Sequence, residues 1–193
     1  VIFTVYNFFI FLYVVLLWEK GVFMNYKDLN IQISYKSVGE ESLSTFINPL
    51  LACTKIYRRS VGFFTSSALD FIGDGIVSLA RHENSKIMLC TSPRLNDEDI
   101  RAIKAGYDAR ELLERQTNAE LEEALDDISD ENVEMLYMLI KEGILDIKIV
   151  WKKTGMYHDK LAVLDDYSGN RVAFVGSANE TGSGYNDNYE KII

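Results

Sequence analysis

Residues 31–35, IQISY, alternate apolar and polar positions and predict a first β-strand. EESLSTFINPLLA (40–52) then spaces its apolar residues at the helical period. Its leading glutamates suit the positive end of a helix, and Pro49 weakens the last turn. KIYRRSVGFFT (55–65) reads as a strand, and SSALDFIGDGIVSLARH (66–82) as an amphipathic helix opened by serine caps. SKIMLCTS (85–92) is a buried strand that stops at Pro93. This β-α-β-α-β order predicts an α/β fold, with a mixed, mostly parallel β-sheet flanked by helices.

Residues 96–142 interrupt that rhythm with two or three helices. Asn96 or Asp97 is placed to cap the first, and Ser129 to start the last. Leu112, Leu113, Leu121, Leu125, Leu136 and Leu139 form an apolar stripe that reads as packing. Gly143 ends the helix, and LDIKIVWKK (145–153) returns to strand. YHDKLAVLD and RVAFVGS flank the turn Asp166-Tyr-Ser-Gly-Asn170, which predicts an antiparallel hairpin.

Charge sharpens the view of the insertion. The chain carries a net charge of -9, yet residues 96–134 alone hold 14 acidic and 4 basic side chains. The remainder is close to neutral. The acidity therefore belongs to one helical insertion, as a solvated face, a dimer contact or a docking surface. Global charge argues neither for nor against a phosphate-binding cleft elsewhere. The two cysteines, Cys53 and Cys90, match no metal or redox spacing and read as reduced thiols of a cytoplasmic protein.

Residues 1–23 stand apart from the domain expected over 24–193. VIFTVYNFFIFLYVVLLW is apolar but marginal in length for a membrane span, and it lacks a signal peptide's basic flank. Three readings apply: translated upstream DNA with the natural start at Met24, a membrane anchor, or a buried element.

The chemistry-bearing residues gather near the C-terminus. His158 and Lys160, two apart, point to the same face of a strand. An imidazole beside an ammonium suits attack on an anionic phosphorus centre, with lysine balancing the charge that a metal would otherwise meet. Gly176-Ser177-Ala178-Asn179 follows, and Glu190 lies eleven residues after Asn179. His158-Asp-Lys160-Leu-Ala-Val-Leu-Asp165 resembles the H-x-K-x4-D signature of the phospholipase D superfamily, and the Gly-Ser-Ala-Asn run its downstream G-S-x-N element. Ten residues separate Asp165 from Gly176 where the commonest pattern has six, and the Asp166–Asn170 hairpin accounts for the difference. Asp166 is an alternative to Asp165, and both also read as ordinary hairpin residues.

The resemblance is nearest to single-motif nucleases and to domains at the N-terminus of bacterial DEAD/DEAH-type helicase or restriction proteins. It implies a phospholipase D-like fold and a metal-independent phosphodiesterase that needs no cofactor. His158 would be the nucleophile, Lys160, Ser177 and Asn179 the phosphate ligands, and Glu190 the orienting acid. It also implies nucleic acid, in particular DNA, as partner, and a homodimer, because a second histidine must protonate the leaving group. His82, the other histidine, follows an amphipathic helix and is not assigned that role. The same resemblance leads to the expectation that a helicase region follows this truncated segment. Arg58, Arg59, Lys152 and Lys153 either steer a polyanion or solubilise the surface. Competing expectations are a phospholipid hydrolase or transferase anchored by residues 1–18, and an inactive nucleic-acid docking module.

Overall fold

Element order follows the hydrophobic pattern closely. A computed structural model describes residues 25–37, 43–92, 95–114, 130–150, 152–185 and 187–193. The expectations for residues 1–23, for Glu40 and Glu41, and for Leu121, Leu125 and Ser129 lie outside the described residues, as do the side chains of Leu112 and Leu113. The elements are β1 (Tyr35–Lys36), α1 (Leu43–Ala52), β2 (Thr54–Val61), α2 (Leu69–Ala80), β3 (Lys86–Thr91), α3 (Asp97–Glu114) and α4 (Glu131–Lys141). They continue with β4 (Leu145–Ile149), β5 (Lys160–Asp166), β6 (Arg171–Val175), α5 (Gly182–Tyr185) and β7 (Lys191–Ile192).

Five strands pair in the order β4-β3-β2-β5-β6. β4, β3 and β2 run parallel, whereas β5 joins β2 antiparallel and β6 joins β5 antiparallel. Two pairings are parallel and two antiparallel, and β6, reversed twice, runs in the direction of β2, β3 and β4. The tight turn between β5 and β6 returns the chain antiparallel, as its sequence predicts. Asp166 organises that turn by accepting from the Ser168 and Asn170 backbone N–H groups, each at 2.8 Å.

β1 is shorter than its alternation predicts and lies outside the main sheet, paired with β7. Tyr35 is buried there, its ring stacked on Phe46 at 4.1 Å, while Ile33 is almost fully exposed. A pattern of alternation without a face to bury it does not make a strand.

Period-two burial is clearest in β2, where Tyr57, Arg59 and Val61 turn inward. Ile87 and Leu89 of β3 and Ala162 and Leu164 of β5 join them on the same face. Ile72 and Ile76 of α2 and Leu136 and Leu139 of α4 close over this surface around a small cavity that Tyr57 and Arg59 also line. Asp130 caps α4 by accepting from the Asn132 and Val133 N–H groups. At the start of α2 the expected serine cap is replaced by a 3-10 turn, Ser66–Ala68, whose Ser66 N–H is held by the buried Asp99 carboxylate.

The acidic insertion has a structural task. Tyr107 Oη of α3 accepts from the Ile147 N–H of β4 at 2.8 Å, and Arg110 donates to the Leu145 carbonyl and the Asp146 carboxylate. β4 is the last strand of the sheet, so these side chains occupy backbone groups that would otherwise invite another strand.

Candidate active site

Three strand ends meet where the chemistry-bearing residues lie. Lys160 opens β5 and pairs with Val61 at the carboxyl end of β2. Gly176, just past β6, donates its N–H to the Lys160 carbonyl at 3.3 Å. Ligand sites in α/β sheets commonly form at such carboxyl ends, where loops leave the sheet.

His158 and Lys160 come together, although His158 precedes β5 where a strand over both was expected. Lys160 Nζ lies 3.1 Å from Nε2 and 3.2 Å from Nδ1 of the exposed imidazole. Burial pushes the lysine's affinity for its proton down, Glu190 and Asp159 push it back up, and Arg59 adds to the lowering.

Gly62 makes room for the imidazole. A β-carbon there would sit 2.8 Å from His158 Cδ2 and 3.1 Å from its Cα. Phe63 follows, with its ring edge-on to the imidazole at 6.0 Å. Gly62→Ala is therefore expected to tilt the ring away from Lys160 and lower turnover of any phosphodiester about tenfold or more, since small misplacements of reacting groups are costly. A crystal structure or imidazole NMR spectrum of the variant, beside its rate, checks this.

The Gly-Ser-Ala-Asn corner is built by close approach. A β-carbon on Gly176 would lie 2.2 Å from the Lys191 carbonyl oxygen, so only glycine lets β7 pass. Ser177 exchanges hydrogen bonds with Lys191: its N–H donates to the carbonyl, and its Oγ accepts from the N–H at 3.1 Å. With a lone pair so occupied, the hydroxyl proton is left to donate elsewhere. Asn179 Oδ1 accepts from the Phe63 N–H at 3.2 Å, which turns the amide's N–H2 group, a double donor, the other way. Glu190 is half-buried, its backbone pinned to Ser37 on both sides.

Asp165 departs from the expectation. It sits at the far end of β5, five residues from Lys160, where Arg58 and Arg171 both bond it at 2.6 Å. Hydrogen bonds from Arg171 and then Arg58 hold its carboxyl down to about 2. It closes the hairpin end of the sheet, and Asp166 does likewise through its turn and the Tyr26 N–H. His82 belongs to that same end, with its ring 5.4 Å from Tyr167 of the turn and its Nε2 on the Ala52 carbonyl.

Arg59 also corrects its expectation. It is buried, neither steering nor solubilising. Its Nε bonds Glu180 Oε2 at 2.7 Å and its Nη2 bonds the Ala178 carbonyl at 2.8 Å. Tyr57 Oη donates to Glu180 Oε1 at 3.0 Å. Sequence reasoning missed Glu180 altogether. The available signal was β2's alternation, which puts Arg59 on the face of Tyr57 and Val61 and so demands a buried acid. Arg58 pairs with Asp165, while Lys152 and Lys153 are exposed.

No protein-family model matches the chain, and no curated protein matches it. Among solved structures it is similar to yeast tyrosyl-DNA phosphodiesterase, with TM-score 0.47 and 12% identity over 83% of this chain and 30% of that one. It is also similar to NucT from Helicobacter pylori, with TM-score 0.38 and 16% identity over 78% of this chain and 72% of that one. The chain thus spans about a third of the yeast enzyme's length. At TM-scores below 0.5 neither likeness adds weight to the geometry of the site.

Proposed function

We propose that this chain is a metal-independent phosphodiesterase of the phospholipase D kind, cutting DNA as the nuclease module of a larger helicase, restriction or repair protein. The observation that carries the reading is the ammonium of Lys160 within 3.2 Å of both nitrogens of His158. Ser177 and Asn179 are anchored at the same strand ends by Lys191 and Phe63.

In the first step an imidazole nitrogen of His158 attacks phosphorus, forming a phosphorus–nitrogen bond as the bond to the leaving oxygen breaks. Lys160, the Ser177 hydroxyl and the Asn179 amide donate to the non-bridging oxygens, where charge gathers. Glu190 holds the histidine's tautomer and orientation. The leaving oxygen takes a proton from a second imidazole. His82 lies at the opposite end of β5, so that imidazole is His158 of a second copy in a homodimer. Water then attacks the phosphohistidine, giving its proton to the second imidazole and releasing a phosphomonoester with His158 restored.

The test sets the purified chain, in EDTA, against plasmid DNA and against phosphatidylcholine vesicles, with acid-labile label sought on His158. Nicked plasmid with label on His158 is the expected result. Cleavage confined to lipid would overturn the DNA reading, and DNA binding without cleavage or label would leave only a docking module.

A further inference from the structure

Beneath the site lies a polar cluster that the mechanism above does not use. Arg59 and Glu180 are each 3% exposed, and buried ionic groups ordinarily cost more in lost hydration than their attraction returns. Similar stability is available from two apolar side chains, so stability alone does not account for the pair.

Its contacts define that task. Arg59 bonds the Ala178 carbonyl and the Glu180 carboxylate, while the Glu180 carbonyl accepts from the Thr65 N–H at 3.0 Å. Asn179 is therefore gripped on both sides, with its own amide oxygen on Phe63, the ring that meets His158. Arg59 also lies on the sheet face that carries Lys160, one same-face position back along β2.

We propose that Arg59 and Glu180 are positioning residues, whose buried pair fixes Asn179 against the end of β2 and places a guanidinium one same-face position from Lys160. The inference rests on the phosphodiesterase reading. Among the described residues, the charged or titratable groups around Lys160 are His158, Asp159, Glu190 and Arg59. Arg59 opposes the lysine's proton, and Glu180 is the counter-charge that Arg59 carries. Loss of Glu180's charge leaves Arg59 unopposed and lowers the pH at which Lys160 becomes neutral. Loss of both charges removes the opposition and raises it.

The experiment compares the unmodified chain, Glu180→Gln and the double variant Arg59→Met/Glu180→Leu. Hydrolysis of a bis-aryl phosphodiester is followed in EDTA across pH, and inorganic phosphate affinity by NMR. Both variants are expected to lose turnover about 100-fold with a smaller change in KM. The alkaline limb of kcat/KM is expected to move to lower pH in Glu180→Gln and to higher pH in the double variant. A purely structural pair would not move the limb in opposite directions. Should Glu180→Gln not fold, the double variant decides alone: wild-type turnover with an unmoved limb overturns the proposal. If the unmodified chain hydrolyses nothing, the phosphodiesterase reading fails. Phosphate affinity then judges the pair, with a severalfold loss in the double variant supporting it and equal affinity, or no phosphate binding by any form, overturning it.

Discussion

His158→Ala is expected to abolish phosphodiester cleavage, a loss of at least about 10⁴-fold, while leaving the fold intact. The size follows from removing a nucleophile that acts as part of a unit, since such losses approach that of dismantling the whole constellation. The fold is spared because the imidazole is exposed, lying over Gly62 and meeting Lys160 and Phe63. Changes at such positions usually stay within about 0.5 kcal/mol. Paired measurements of rate in EDTA and of the urea midpoint check both halves. Cleavage that persists at the wild-type rate would remove His158 from the chemistry. In a homodimer the mixed species adds a sharper reading. If one imidazole attacks while its twin protonates the leaving oxygen, a dimer with one altered subunit retains almost no activity.

Much of this fold could be read because its signals are periodic and local. β2, β3, β5 and the hairpin turn each carry an alternation or a turn sequence that no other structure would satisfy as well. The histidine and lysine were legible because two residues so near along the chain, one just before β5 and one opening it, need no long-range information to meet. What the sequence did not yield depends on partners distant along the chain. Arg59 lies 121 residues from Glu180, and although the alternation of β2 turns Arg59 inward, nothing local marks Glu180 as its partner. Gly62 is a glycine because His158 passes over it, and Gly176 because Lys191 does, contacts visible only after folding. Asp165 shows the converse error. Its spacing fits a signature, but two arginines at the hairpin end of the sheet hold it there. IQISY was overread because alternation predicts a strand only where a core exists to receive one face.

The largest effect on stability is expected at Glu180, not at any residue of the reacting cluster. Glu180→Ala leaves the Arg59 guanidinium buried with its principal counter-charge gone, and removes the acceptor of the Tyr57 hydroxyl. Breaking one side of a buried ion pair costs about 3–5 kcal/mol, against a total of about 5–15 kcal/mol for a typical domain. The variant should therefore unfold at a much lower urea concentration than the unmodified chain. Arg59 has a residual anchor in the Ala178 carbonyl and in the Phe174 ring, 5.5 Å from its guanidinium carbon. These contacts hold the side chain in place but do not neutralise it. The apolar double variant Arg59→Met/Glu180→Leu separates charge from packing. Its stability should return to within about 1–2 kcal/mol of the unmodified chain, because replacing both partners removes the uncompensated charge together with the pair. If instead the single and double variants are equally destabilised, the cluster contributes through its shape and hydrogen bonds, and the buried charge is not what Glu180 is there to meet.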